Sequence, residues 1–143
     1  MQSVAVDKLA EIAQKRGRPF EILIVDDERY VREVFRDYCA LTNAFQIDLA
    51  QGGKDAVDKV SAKKYDLITM DLIMPDVSGL EALSAIKEVS PQVPVIIVTG
   101  NATEKLIREA GVKGACRVVY KPVMLEDFLA EIVTILTRES GNM

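Results

Sequence analysis

Asp66-Leu67-Ile68-Thr69-Met70-Asp71 is a short apolar run that finishes in a carboxylate. Ile22-Leu23-Ile24-Val25 finishes in Asp26-Asp27-Glu28 in the same way. Val95-Ile96-Ile97-Val98 finishes in Thr99-Gly100, and Val118-Val119-Tyr120 in Lys121-Pro122. Apolar runs without alternation, such as 22–25 and 95–98, are what central parallel strands covered on both faces look like. Parallel strands all end at one edge of their sheet, the edge where open α/β sheets keep their binding sites. Three acids, one hydroxyl and one ammonium would then lie side by side. That set describes an aspartate, Asp71, that accepts a phosphoryl group beside a metal ion.

Outward from these runs, the chain after residue 19 alternates short strands with segments of helical period, which predicts a parallel sheet with crossover helices. Strands are expected near 21–26, 45–50, 66–70, 94–99 and 116–120. Between them, Val31, Val34, Phe35, Tyr38 and Leu41 recur at helical spacing, as do Ala56, Val57 and Val60, then Leu80, Leu83 and Ile86. Leu125, Phe128, Leu129, Ile132, Val133 and Leu136 form the last such stripe. The fourth crossover helix, near 103–110, has only Leu106, Ile107 and Ala110, and so packs weakly enough to move. Phe45, Ile47 and Leu49 alternate with Gln46 and Asp48, which predicts a half-exposed edge strand. Gly52-Gly53, Met74-Pro75-Asp76, Pro91 and Pro94 supply turn chemistry at the boundaries.

Residues 1–19 stand outside this alternation as an N-terminal helical extension. Val6, Leu9, Ala10 and Ala13 make a narrow apolar stripe behind a cap at Ser3, and Gly17 and Pro19 end it. Two accounts of it stay open: a frayed appendage, or a helix that docks on a partner or on a second copy of the chain. Residues 20–140 form the main domain, with 141–143 as a tail.

A chain of 143 residues fits one domain with a single core. The net charge is −4, with +2 on residues 1–19 (Lys8, Lys15, Arg16 and Arg18 against Asp7 and Glu11) and no clustered basic surface of the kind nucleic acid requires. No direct contact with nucleic acid or with a membrane is expected, since no stretch approaches the 18 apolar residues of a span. Cys39 and Cys116 lack a Cys-x-x-Cys spacing and are expected to be reduced and buried, which fits a cytoplasmic address. The chain contains no histidine. Ser-His-Asp and Cys-His catalysis, histidine-ligated zinc and a phosphohistidine on this chain are all excluded.

Asp26, Asp27 and Asp71 brought together would repel one another and raise their own pKa values unless a cation joined them. Mg²⁺ suits such a site because it takes oxygen ligands in an octahedron and usually binds one or two protein carboxylates with waters and substrate phosphate. Asp71 is the candidate nucleophile and is already ionised at neutral pH, so it needs no general base. Phosphoryl transfer through a loose transition state needs positioning and charge neutralisation. Mg²⁺ and the Lys121 ammonium would supply both, and Thr99 would donate a hydrogen bond to a phosphoryl oxygen.

With Ile24-Val25-Asp26-Asp27-Glu28, Met70-Asp71-Leu72-Ile73-Met74-Pro75 and Gly79, Val98-Thr99-Gly100, Gly114-Ala115 and Lys121-Pro122 in place, residues 20–138 resemble the receiver domain of bacterial two-component response regulators. The resemblance implies a flavodoxin-like, doubly wound five-stranded sheet of order 2-1-3-4-5 with five helices, beside the N-terminal helix, and a cis Lys121-Pro122 bond. It implies Asp71 as phosphoacceptor, Asp26 and Asp27 as magnesium-site acids, the Ile73 backbone carbonyl as a further ligand, and Thr99 and Lys121 as phosphoryl sensors. It further implies a sensor histidine kinase or histidine phosphotransfer protein as donor, a downstream protein target, and a homodimer as one possible assembly. One position departs from the pattern. The aromatic usual three residues before the lysine is Val118, and Tyr120, on the same side of the strand, is the candidate replacement at the face that carries the output.

Two other functions compete. An aspartyl-phosphate phosphatase or phosphotransferase acting on small molecules would share the acids, but such enzymes place another Asp two residues after the nucleophile, where this chain has Ile73. A flavin-binding module would need a first loop rich in Ser, Thr and Gly. Asp26-Asp27-Glu28 is its opposite.

Overall fold

In the computed structural model, which describes residues 3–141 and side chains as far as Arg138, five strands alternate with helices. After α1 (Val4–Arg16) come β1 (Phe20–Val25), α2 (Arg29–Ala40), β2 (Phe45–Ala50), α3 (Gly53–Ala62), β3 (Leu67–Met70), α4 (Gly79–Val89), β4 (Val95–Thr99), α5 (Glu104–Val112), β5 (Arg117–Tyr120) and α6 (Leu125–Gly141). The sheet has the order β2-β1-β3-β4-β5 and every neighbouring pair is parallel. The fold is thus flavodoxin-like, with an added N-terminal helix. Of the tail expected at 141–143, Gly141 belongs to α6, and residues 142 and 143 fall outside the described residues.

Alternation along the strands builds two cores. Ile22, Ile24, Leu67, Ile96 and Val98 face Phe35 and Cys39 of α2 and the α6 stripe Phe128, Leu129, Ile132 and Leu136. Leu23, Val25, Ile68, Met70, Val95 and Ile97 face Ala56 and Val60 of α3, Ala82, Leu83 and Ile86 of α4, and Ala110 of α5. This is the period-two geometry of a strand buried on both sides. In β2, residues 45–49 are only partly buried or exposed, as an edge strand requires. Leu41, expected on the first crossover helix, lies just past α2 and is exposed; Cys39 takes the buried place.

The N-terminal helix is neither frayed nor free. Ser3 caps it by accepting the Val6 N–H, and Gly17 ends it with a left-handed φ of 83°. Its buried face is Ala5, Leu9 and Ala13, with Val6 and Ile12 packed alongside, so Ala5 rather than Ala10 completes the stripe. That face joins the α2–α6 core of its own chain. Arg16 fastens the end of the helix: its Nη2 lies 3.1 Å from both Asp66 carboxylate oxygens, and its guanidinium stands 4.2 Å from the centre of the Phe20 ring. Asp66 also accepts the Glu21 N–H at 2.8 Å. α1 is therefore tied to the starts of β1 and β3.

The cysteines differ from expectation. Cys39 is buried and its thiol is pushed up to about 12 by that burial, but Cys116 is exposed, just before an outer edge strand whose own residues are only partly buried or exposed. Both are free.

Candidate functional site

The ladder carries each site residue to the sheet edge one step past its strand. The Asp26 N–H donates to the Ala50 carbonyl at 3.1 Å, the Asp71 N–H to Val25 at 3.2 Å, and the Lys121 N–H to Thr99 at 3.0 Å. Thr99 is itself the last residue of β4, opposite Tyr120. The apolar strands bury these positions, so Asp26 and Asp71 are only 2% and 6% exposed. The loop after β3 closes tightly beneath α4. A Cβ on Gly79 would come within 2.4 Å of the Leu72 Cα, so only glycine permits this approach.

Lys121 joins the two buried carboxylates. Its Nζ lies 2.7 Å from Asp26 Oδ2 and 2.8 Å from Asp71 Oδ2. The second oxygens accept main-chain donors, Asp26 Oδ1 from the Glu28 N–H at 2.9 Å and Asp71 Oδ1 from the Ile73 N–H at 3.1 Å. Asp27 is exposed, yet one carboxylate oxygen from each of Asp26, Asp27 and Asp71 lies within 4.8 Å of the others. The mutual repulsion expected of three such acids is thus met in part by the protein's own ammonium.

The electrostatics leave a shortage of positive charge. Burial raises the pKa of Asp26 above its ordinary value, and the hydrogen bond from Lys121 only partly offsets that. Burial works against the Lys121 ammonium, but its hydrogen bonds to Asp26 and Asp71 win, and its pKa is raised. Three carboxylates close together, with one ammonium bridging two of them, offer oxygen ligands that fit a hard divalent cation. Thr99 adds a second unmet demand. Its Oγ1 is buried and has no hydrogen-bond partner among the described residues, an arrangement that costs about 1–3 kcal/mol unless a ligand atom satisfies it.

Of the residues singled out from sequence, the structure brings Asp26, Asp27, Asp71 and Lys121 together, with the Ile73 backbone beside them through its N–H. Thr99 sits on the adjoining strand end, hydrogen-bonded through its carbonyl to Lys121. Val118 packs on the core shared with α5, whereas Tyr120 is 58% exposed. The Lys121-Pro122 bond is cis. Two participants escaped sequence reading. Arg32 Nη1 donates to the Asp26 carbonyl at 2.8 Å, and Asp76 caps α3 by accepting the Gly53 and Lys54 N–H groups at 3.2 Å. Bonds to main-chain groups leave no pattern of complementary charge to find. For Asp76 the available signal was Gly52, where a Cβ would lie 2.7 Å from the Asp76 carboxylate.

Comparison with known proteins gives the family and the fold. Residues 22–133 match the family model described as "Response regulator receiver domain". The response regulator MprA of Mycolicibacterium vanbaalenii is 33% identical over 125 residues, covering 87% of this chain and 53% of that protein. The chain therefore spans about half the length of the MprA relatives it matches. The chemotaxis protein CheY of Treponema pallidum is 30% identical over 132 residues, covering 91% of this chain and 92% of that protein. In fold alone, the CheY-like receiver domain protein of Methanospirillum hungatei superposes with a TM-score of 0.84 at 24% identity, covering 87% of this chain and 99% of that one.

Proposed function

Because the chain belongs to the response regulator receiver domain family, we propose that it is a phosphorylation-dependent switch in which Asp71 accepts a phosphoryl group. The observation that carries this reading is Lys121 bridging the buried carboxylates Asp26 and Asp71. An Asp71 carboxylate oxygen attacks phosphorus of a phosphohistidine. A P–O bond forms as the P–N bond breaks, and the electron pair leaves with the imidazole nitrogen. Lys121 follows the new charge from the carboxylate to a phosphoryl oxygen, and the unpartnered Thr99 hydroxyl donates to another. Mg²⁺ held by Asp26, Asp27, Asp71 and the Ile73 carbonyl would neutralise the phosphoryl oxygens. The chain has no histidine, so the donor, a histidine kinase or phosphotransfer protein, lies outside these residues. It acts as a phosphoacceptor regulator, not as an enzyme that turns over a substrate. Among the described residues no helix is long and apolar enough to cross a membrane, which accords with a cytoplasmic site of action.

Output goes through the face of α5, β5 and α6 to a downstream protein. In α5 only Ala110 is buried, so few contacts oppose its displacement. Phosphorylation adds about −1.5 to −2 charges, and a complete switch needs a differential stabilisation of about 5.5 kcal/mol. Tyr120, exposed and opposite Thr99, is the ring that moves when Thr99 does.

Incubation with Mg²⁺ and acetyl phosphate, read by intact mass, tests the acceptor. Wild type gains the mass of one phosphoryl group, in a base-labile linkage, and Asp71→Asn gains none. An unlabelled wild type, or an equally labelled Asp71→Asn, overturns the assignment. The same phosphorylated sample tests the output face. Tyr120→Ala reduces the amide chemical-shift changes that phosphorylation produces in α5, and unchanged shifts would remove Tyr120 from the switch.

A further inference from the structure

We propose that Arg32 is a positioning residue for the cation side of this site, an inference that rests on the acceptor reading above. Arg32 lies in the first turn of α2, and its backbone N–H bonds the Glu28 carbonyl at 3.1 Å. Its side chain turns back, and Nη1 donates to the Asp26 carbonyl at 2.8 Å. The Glu28 N–H meanwhile donates to Asp26 Oδ1 at 2.9 Å. Three hydrogen bonds thus close a ring around Asp26-Asp27-Glu28. Among the described residues Arg32 forms no ion pair with a carboxylate, so its guanidinium is committed to a main-chain oxygen.

That oxygen belongs to the peptide joining Asp26 to Asp27. The peptide unit is planar, so fixing its carbonyl fixes the direction in which the chain leaves Asp26 and enters Asp27. Asp26 has three further anchors: its N–H on Ala50, Lys121 on Oδ2 and the Glu28 N–H on Oδ1. Asp27 is exposed, and among the described residues no hydrogen bond to its side chain is formed. The peptide plane held by Arg32 is therefore what aims Asp27 at the other two acids. Outer groups that orient metal ligands typically contribute 10–100-fold to metal affinity.

The sign of the effect separates positioning from charge. Arg32→Met removes a cation near a cation site, and through electrostatics alone it would tighten Mg²⁺ binding. Loss of positioning weakens it. The expected result, by isothermal calorimetry, is a Mg²⁺ Kd raised about tenfold in Arg32→Met, with partial recovery in Arg32→Lys, which keeps one donor. In the metal-free protein the Asp27 amide resonance shifts in Arg32→Met. An unchanged or lowered Kd overturns the proposal, including the case in which only the melting temperature falls, since that shows a purely structural role. A wild type that binds Mg²⁺ but forms no adduct on Asp71, together with a weakened Arg32→Met, would sink the acceptor reading and leave the positioning role standing.

Discussion

Lys121→Met destabilises the metal-free protein by about 3 kcal/mol at neutral pH, the low end of what removing one partner from a buried ion pair costs. The ammonium is 17% exposed and touches two carboxylates that are almost fully buried. Without it they face each other uncompensated, and the cheapest relief is a proton on Asp26, whose pKa burial already raises. The sign follows from that direction. A carboxyl whose folded pKa lies above its ordinary 3.8 holds stability below that value and loses it as pH rises through the folded pKa. The deficit of the variant therefore shrinks on acidification toward pH 4. Lys121 in the wild type has a raised pKa, so its contribution is full below 10.5 and is lost as pH rises past that value. The deficit shrinks again there. Urea midpoints of both proteins across this range should show a difference that is widest between neutrality and the alkaline limb, and a difference independent of pH would refute the coupling.

Two further results belong to the same variant. With one competing cation gone, Mg²⁺ binds more tightly and restores the lost stability by mass action. Labelling by acetyl phosphate nevertheless slows by about 10²–10³, the usual effect of removing one donor from the charge that develops in a transition state. Stability rescued by the ion with transfer still slow would separate the structural role of Lys121 from its chemical one. Recovery of both together would show that the ammonium acts only by charge balance.

Leu9→Ala is the second large effect, about 2–5 kcal/mol. Leu9 is fully buried in the core formed with α2 and α6, although it lies in a segment that precedes the family match. Deleting residues 1–17 removes Ala5, Leu9 and Ala13 from that core together with the Arg16–Asp66 bridge and the Arg16 contact on Phe20. A loss of this size is a large share of the roughly 5–15 kcal/mol that holds a typical domain. The truncated chain should melt much lower and self-associate in light scattering. Leu9→Ala, being milder, should still label on Asp71, because α1 holds the opposite end of β3. A truncated chain with unchanged melting temperature and mass would return the helix to the role of a loose appendage.

Much of the architecture was legible residue by residue. Ile22–Val25 and Val95–Val98 announce central strands because burial on both faces removes any need for a polar side, and Gln46 and Asp48 mark the edge because one face of β2 meets solvent. The strand-end acids and Lys121 were legible because parallel strands finish together. Other features were not. A stripe of Leu9 and alanines looks the same whether its partner is α6 or another molecule, since periodicity records that a face is apolar and not what covers it. The exposure of Cys116 depended on β5 lying at the outer edge of the sheet, where one side has no neighbouring strand. Arg32 reads as one more solvated helix charge until its guanidinium is seen on a carbonyl.

By itself the sequence determined the alternation of strands and helices and the chemistry collected at one sheet edge, because both follow from local periodicity and from which residue ends each run. Only the tertiary structure decided that Lys121 satisfies Asp26 and Asp71 at once, that the Thr99 hydroxyl has no hydrogen-bond partner among the described residues, and that α1 closes the core of its own chain. Those are distances between residues far apart in sequence. They are fixed by how the layers pack, which composition and period do not encode.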